Sequence, residues 1–216
     1  MVREISYVSG VRHCVSLSAA VGCKWGKETT EVAWSNQPLI LYHGTDDVSA
    51  VNIMKAISPY RHGINLSRCK SNADFGPGFY TTTSLYQAKD WANKRIDDKR
   101  KTSFRAGLFQ PITLARATVL GFEVDRDELS KIDHLIFPQE DKHYWDFVKH
   151  CRDQIGPHRP TGNYDVVTGP LSNWPHPITF NNCDQVSFHT PRGLMVLPTP
   201  TIEAQMTFTN PFFILP

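Results

Sequence analysis

Apolar positions along this chain fall in short blocks separated by polar, Pro- and Gly-containing breaks. Pro38 introduces Leu39-Ile40-Leu41-Tyr42, which reads as a buried strand ending at His43-Gly44-Thr45. Thr45 or Asp46 is placed to cap the helix that follows. There Ala50, Ile53, Met54 and Ile57 recur at helical spacing until Pro59 closes it. Asp74-Phe75-Gly76-Pro77-Gly78 makes a tight turn into a strand over 79–82. Ser84 and Gln87 have capping-box spacing, which predicts that hydroxyl and amide each satisfy an orphan N–H. Leu85, Ala88, Trp91 and Ala92 then form one apolar face. Residues 114–124 read as a strand, and Trp145, Val148 and Cys151, with Phe147 beside them, predict a helix in the 140–153 region. Tyr164-Asp165-Val166-Val167-Thr168 reads as a strand stopped by Gly169-Pro170. Over 185–189, Val186 and Phe188 fall on one face and Gln185, Ser187 and His189 on the other. From Pro198 on, the chain is Pro-rich and predicted to wrap the surface. Strands dominate and helices do not alternate regularly with them, so the class is α+β rather than doubly wound.

Composition narrows this picture. A chain of 216 residues suits one domain with extensions: 1–36 N-terminal, 37–197 the main domain and 198–216 C-terminal. Its 40 % hydrophobic and 20 % charged residues are ordinary for a globular protein and argue against global disorder. Lys and Arg total 23 against 21 Asp and Glu, a balance that argues against a dedicated nucleic-acid binder. The densest basic stretch, Lys94-Arg95 with Lys99-Arg100-Lys101, reads as a solvated helix end. Five cysteines, an odd number without C-x-x-C spacing, imply free thiols in a reducing compartment, hence an intracellular, cytoplasmic protein. No apolar run approaches the roughly 20 residues of a membrane span. The weakly apolar stretch 14–23 follows Arg3 and Arg12, but Glu4 and several serines spoil it as a secretion signal.

No phosphate-binding G-x-x-x-x-G-K-[ST] loop, dinucleotide fingerprint, H-E-x-x-H or G-x-S-x-G is present, and the nine histidines show no obvious metal-ligand spacing. Three pieces remain. His43-Gly44-Thr45 ends a strand, where a histidine can donate to a sugar hydroxyl and a glycine lets a planar ligand approach the backbone. Tyr80 follows the Gly-Pro-Gly turn and can stack on an aromatic ring. Gln185 opens the polar face of the late strand. Taken singly, each is more simply a structural residue.

Taken in order, they resemble a known set. LYHGT at 41–45, DFGPGFYTT at 74–82 with QAKDWA at 87–92, YDVVTGPLSN at 164–173 and DQVSFHT at 184–190 resemble the ADP-ribosyltransferase superfamily of the diphtheria-toxin and poly(ADP-ribose) polymerase type. That superfamily carries a His-Tyr-Glu signature. The chain is most similar to a compact microbial and fungal branch of it with Gln in the third position. The resemblance spans roughly residues 40–197. It implies an α+β fold with an ADP-ribosyltransferase-like split β-sheet core and a few peripheral helices. It also implies NAD⁺ as co-substrate, with no metal. His43, Tyr80 and Gln185 would form the catalytic set. His43 would hydrogen-bond the adenosine-side ribose and Gly44 would hold the nicotinamide amide through its backbone. Tyr80 would stack on the nicotinamide ring, with Trp91 as the opposite wall. Thr45 and Gly78 are assigned to NAD⁺ binding with them.

Cleaving the nicotinamide–ribose bond builds positive charge on the ribose, as in glycoside hydrolysis. A glutamate would place negative charge beside that centre. Gln185 accepts a hydrogen bond but carries no charge, unless Glu123 or Asp184 lends a carboxylate. Gln185→Glu, by restoring the charge, is expected to raise glycohydrolase activity. A second departure is Ala88, where polymerase-type relatives have a serine. The expected activity is mono-ADP-ribosyl transfer rather than polymer synthesis. A protein acceptor is favoured over a nucleic acid or small molecule, and no membrane partner is implied. The alternatives are an NAD⁺ glycohydrolase, a non-catalytic NAD⁺ or ADP-ribose binding module, and an RNA 2′-phosphotransferase relying on Arg68 or Arg192.

Overall fold

The computed structural model describes residues 36–105, 115–153 and 156–215. The expected N-terminal extension, with Cys14 and Cys23, lies outside them but for Asn36. In chain order the elements are β1 (Leu39–Asp46), α1 (Asp47–Met54), β2 (Phe79–Thr81), α2 (Leu85–Arg105), β3 (Ala117–Val124), α3 (Arg126–Leu129), β4 (His134–Ile136), α4 (Lys142–Arg152), β5 (Val166–Ser172), β6 (Thr179–Phe188), α5 (Pro191–Met195) and β7 (Thr201–Gln205). A short 3₁₀ turn at Leu66–Arg68 completes the set. The architecture is α+β. One sheet runs β1-β3-β7, all antiparallel, and the other β2-β6-β5-β4, parallel only at β4 and β5.

Alternation explains how the sheets pack. Leu41 from β1, Phe122 and Val124 from β3, and Phe79, Val166, Val186 and Phe188 from the second sheet share one buried cluster. The outer face of the first sheet carries α2 through Ala88, Ala92 and Ile96 against Ala117 and Val119. The outer face of the second carries α4 through Tyr144 and Val148 against Val167 and Phe75. Both faces of the last four residues of β6 are therefore filled: Gln185 and Ser187 are buried like Val186 and Phe188, as is His189 just beyond the strand.

Several local expectations change. Asp46 caps α1 by accepting from Ser49 N–H, but the helix stops at Met54, and Ile57 lies beyond it, exposed. Lys55 turns to an extended conformation, so the 53–57 spacing never becomes a helical face. On α2, Ile96 takes the buried place expected of Trp91, which is 44 % exposed. On α4 the buried face is Tyr144, Val148 and Cys151, and Trp145 is only partly covered. β5 runs through Gly169-Pro170 to Ser172. The missing proline N–H is tolerated because the ladder to β6 loses register just there. After Pro198 the chain does not simply wrap the surface, since β7 is the third strand of the first sheet. Beyond it, Asn93 on α2 donates to Phe213 C=O and accepts from Phe213 N–H, holding the tail to the helix.

The capping box is half made. Ser84 Oγ accepts from Gln87 N–H, as the spacing implies. The Gln87 amide instead crosses to β6, donating to Asp184 C=O and accepting from Asp184 N–H and Thr82 Oγ1. A buried side chain thus completes the hydrogen bonding of a strand edge. Gln87→Ala is expected to cost about 2–3 kcal/mol, because it strips several part-buried bonds at once. Urea unfolding measures this, and a loss below about 0.5 kcal/mol would contradict the clamp.

Candidate functional site

Among the described residues the main chains of β1 and β2 join at one point and then part. Tyr42 and Thr82 exchange N–H···O=C bonds of 2.7 and 2.9 Å, linking β1 to the end of β2. In an antiparallel ladder the backbone groups of alternate residues point to the same edge. Gly44 therefore aims its N–H and C=O toward β2, as Tyr42 does, but no backbone bond from β2 meets them among the described residues. Tyr80 stands opposite. Its C=O faces the same gap and bonds His43 Nδ1 at 2.7 Å. The imidazole sits in the split and tilts against Phe79, ring centroids 4.4 Å apart.

That bond fixes the histidine's chemistry. A carbonyl only accepts, so Nδ1 carries the proton and Nε2 keeps its lone pair. Nε2 has no hydrogen-bond partner among the described residues. Burial lowers the pKa of His43 to about 4, against the raising effect of the Tyr80 carbonyl, and Arg95 lowers it further. At neutral pH Nε2 is therefore an acceptor, able to take a hydrogen bond from a hydroxyl. The sequence-based expectation has this histidine donating to a sugar hydroxyl, whereas in this tautomer its one proton is already given to Tyr80 C=O.

Gly44 is small for a geometric reason. A Cβ there would collide with the Ala88 carbonyl oxygen on α2. Gly78 is the second such position: a Cβ would lie 2.7 Å from the His189 ring. Thr45 is buried on β1, and Ala88 is fully buried.

Tyr80 and Gln185 share the outer face of the second sheet, and both are tied to the turn at 74–76. Tyr80 Oη donates to Gly76 C=O at 2.8 Å and accepts from Phe75 N–H at 3.0 Å, while its ring lies between Phe75 and His189. Burial raises its phenol pKa well above the ordinary value. Gln185 Nε2 donates to Asp74 Oδ2 at 2.7 Å and to Pro170 C=O at 2.9 Å. Asp74, 2 % exposed, also receives Ser172 N–H, Ser172 Oγ and the guanidinium of Arg152. Beneath Tyr80, Ser187 Oγ lies 2.8 Å from His189 Nε2, and His189 Nδ1 meets Pro77 C=O.

The structure thus joins His43 to Tyr80 through the main chain and Tyr80 to Gln185 through the 74–76 turn. It does not line the three side chains around one open cavity. A cavity of about 440 Å³ lies further along β6, against Thr83, Glu140, Phe180 and Asp184. Trp91 makes no ring contact with Tyr80 among the described residues, and its ring carries Lys94 Nζ at 5.0 Å instead. Neither suggested substitute carboxylate reaches Gln185: Glu123 is exposed on β3, and Asp184 is held by Thr82 and Thr83. Arg192 is committed to Asp165 and Lys131 C=O. The residue that sequence reasoning missed is Asp74. It was visible in the DFGPGFYTT stretch, but only the fold brings it to Gln185.

Among the described residues, no group of three or more His, Cys, Asp or Glu is arranged to hold a metal, and no helix is long and apolar enough to cross a membrane. A family model described as "Protein of unknown function (DUF3990)" matches residues 39–208. No curated protein and no solved structure matches the chain.

The buried and part-buried imidazoles set a pH dependence. His43 and His189 are lowered by burial to about 4 and about 3, and His62, His134 and His158 are lowered in the same direction. Below the unfolded value near 6.5 the unfolded chain takes up protons that the fold resists. Stability is therefore full above about 6.5 and falls as pH drops through about 4. The urea midpoint should decline steadily across that window, less steeply in His189→Asn. A midpoint that stays level down to pH of about 4.5 would contradict it.

Proposed function

The chain belongs to the DUF3990 family of proteins of unknown function, and we propose that it is an NAD⁺-dependent mono-ADP-ribosyltransferase. The observation that carries this is the split between β1 and β2. There, unmatched backbone groups of Gly44 and the lone pair of His43 Nε2 stand beside the strand bearing Tyr80. A peptide N–H and C=O from one residue form the donor–acceptor couple that a primary carboxamide requires. Nicotinamide presents that carboxamide on an aromatic ring, which matches Gly44 with Tyr80. A ribose hydroxyl donates to His43 Nε2, and another donates to Gln185 Oε1.

In the reaction the C–N bond between ribose C1′ and nicotinamide breaks, and its electron pair leaves with nicotinamide. An acceptor nucleophile then bonds C1′ and releases its proton to solvent. The chain's part is to clamp both ends and hold C1′ in line with the acceptor. Gln185 offers a dipole to the ribose hydroxyl and no full charge, which favours a single slow transfer over chain elongation.

Incubation with NAD⁺ and measurement of released nicotinamide tests this. Release should fall about 100-fold in His43→Ala, a loss typical of misplaced substrate. In a trial with adenine-labelled NAD⁺, label on a macromolecule identifies transfer, and label in free ADP-ribose alone identifies a glycohydrolase. Absence of both release and NAD⁺ binding would reject the proposal. Tyr80→Phe keeps the ring and is expected to retain release while losing about 1–2 kcal/mol of stability, because Phe75 N–H and Gly76 C=O lose their partner. Abolished release in a folded Tyr80→Phe protein would contradict a stacking role.

A further inference from the structure

We infer that Asp74 is the positioning residue for Gln185, and that it is the reason an amide stands where the resembling signature carries a carboxylate. The inference rests on the proposed reading of Gln185 as a ribose contact.

Gln185 is 5 % exposed, and both protons of its amide are used, one toward a carboxylate and one toward a carbonyl. Only the NH₂ end can face two acceptors, so the amide has a single orientation. Oε1 is then the free end, with no hydrogen-bond partner among the described residues. It is the atom able to accept from a ribose hydroxyl. Asp74 itself cannot turn away, because Ser172 N–H binds Oδ2 while Ser172 Oγ and Arg152 bind Oδ1.

Glutamate at position 185 meets a different environment. Its carboxylate would face Asp74 Oδ2 across a gap now spanned by a 2.7 Å hydrogen bond. Two carboxylates that close repel each other, so the pair takes up a proton more readily than a lone carboxylate. Pro170 C=O would also lose a donor. The expectation that Gln185→Glu alone raises activity is therefore reversed: a carboxylate works at 185 only if position 74 becomes a donor. Asp74→Asn supplies that donor at the expense of the Ser172 N–H bond, because Oδ2 now accepts from both Gln185 and Ser172, while Arg152 stays bound at Oδ1.

Wild type, Asp74→Asn, Gln185→Glu and the double variant form the test. Urea unfolding is read first, and nicotinamide release from NAD⁺ second, across pH of about 5–9. Each single change should lower the unfolding midpoint, and the double variant should recover part of the summed loss, the Pro170 C=O and Ser172 N–H bonds staying broken. At neutral pH, release in Gln185→Glu should fall at least about tenfold, and the double variant should restore it. The profile of Gln185→Glu should gain an ascending limb above the usual carboxylate range, and the double variant should move it down. Losses that simply add in the double variant would overturn the pairing whatever the activity. Coupled stabilities with no nicotinamide release from any of the four would reject the reading of the site, and the positioning role with it, while leaving the contact intact. If the charge-changing singles do not fold, Gln185→Met adds no charge. It is expected to fold and to lose release, and unchanged release would overturn the inference.

Discussion

A carboxylate as deeply buried as Asp74 persists only when donors surround it, since an isolated ion in a protein interior costs several kcal/mol. Here the donors come from three places: Arg152 at the end of α4, Ser172 at the end of β5 and Gln185 on β6. Satisfying this one charge fixes where the 74–78 turn lies relative to the second sheet. The next two residues of that turn hold the Tyr80 hydroxyl. The position of Tyr80 and the orientation of the Gln185 amide thus depend on the same buried ion. Removing one partner leaves the others facing an uncompensated charge, so the cluster behaves as a unit.

The second constraint is steric and acts on the other side of the split. α2 lies so close to β1 that residue 44 has no room for a side chain. Gln87 on the same helix holds Asp184. One helix therefore packs on the first sheet and also ties down the β6 residue that precedes Gln185. Between these fixed points the main chains of β1 and β2 bond only at Tyr42 and Thr82 among the described residues, and the diverging edge beyond leaves Gly44 and Tyr80 facing each other.

Local signals in the sequence announced local structure well. The Leu39 block, the Asp46 cap, the Gly-Pro-Gly turn into β2 and the alternation of 185–189 all follow from short-range sterics and hydrogen bonding. What escaped was long-range. β7 lacks a strong apolar pattern because it is an edge strand with Thr201, Ile202 and Glu203 exposed. Pro170 looked like a stop because the register change that accommodates it belongs to β6. Gln87 read as a capping partner because sequence spacing cannot reveal a strand edge about 100 residues away that needs it more. Asp74 looked like an ordinary turn residue for the same reason. The site was legible as a set of positions on particular strands, but not as a network, since the donors around Asp74 meet only after the second sheet closes.

The central claim is that the split between β1 and β2 is where NAD⁺ is held. A crystal structure with a non-hydrolysable NAD⁺ analogue tests it most directly. The expected complex has the carboxamide on the backbone N–H and C=O of Gly44, the nicotinamide ring against Tyr80 and a ribose hydroxyl on Gln185 Oε1. An analogue seated instead in the cavity against Phe180 and Glu140, or a split left empty at saturating concentration, would contradict it.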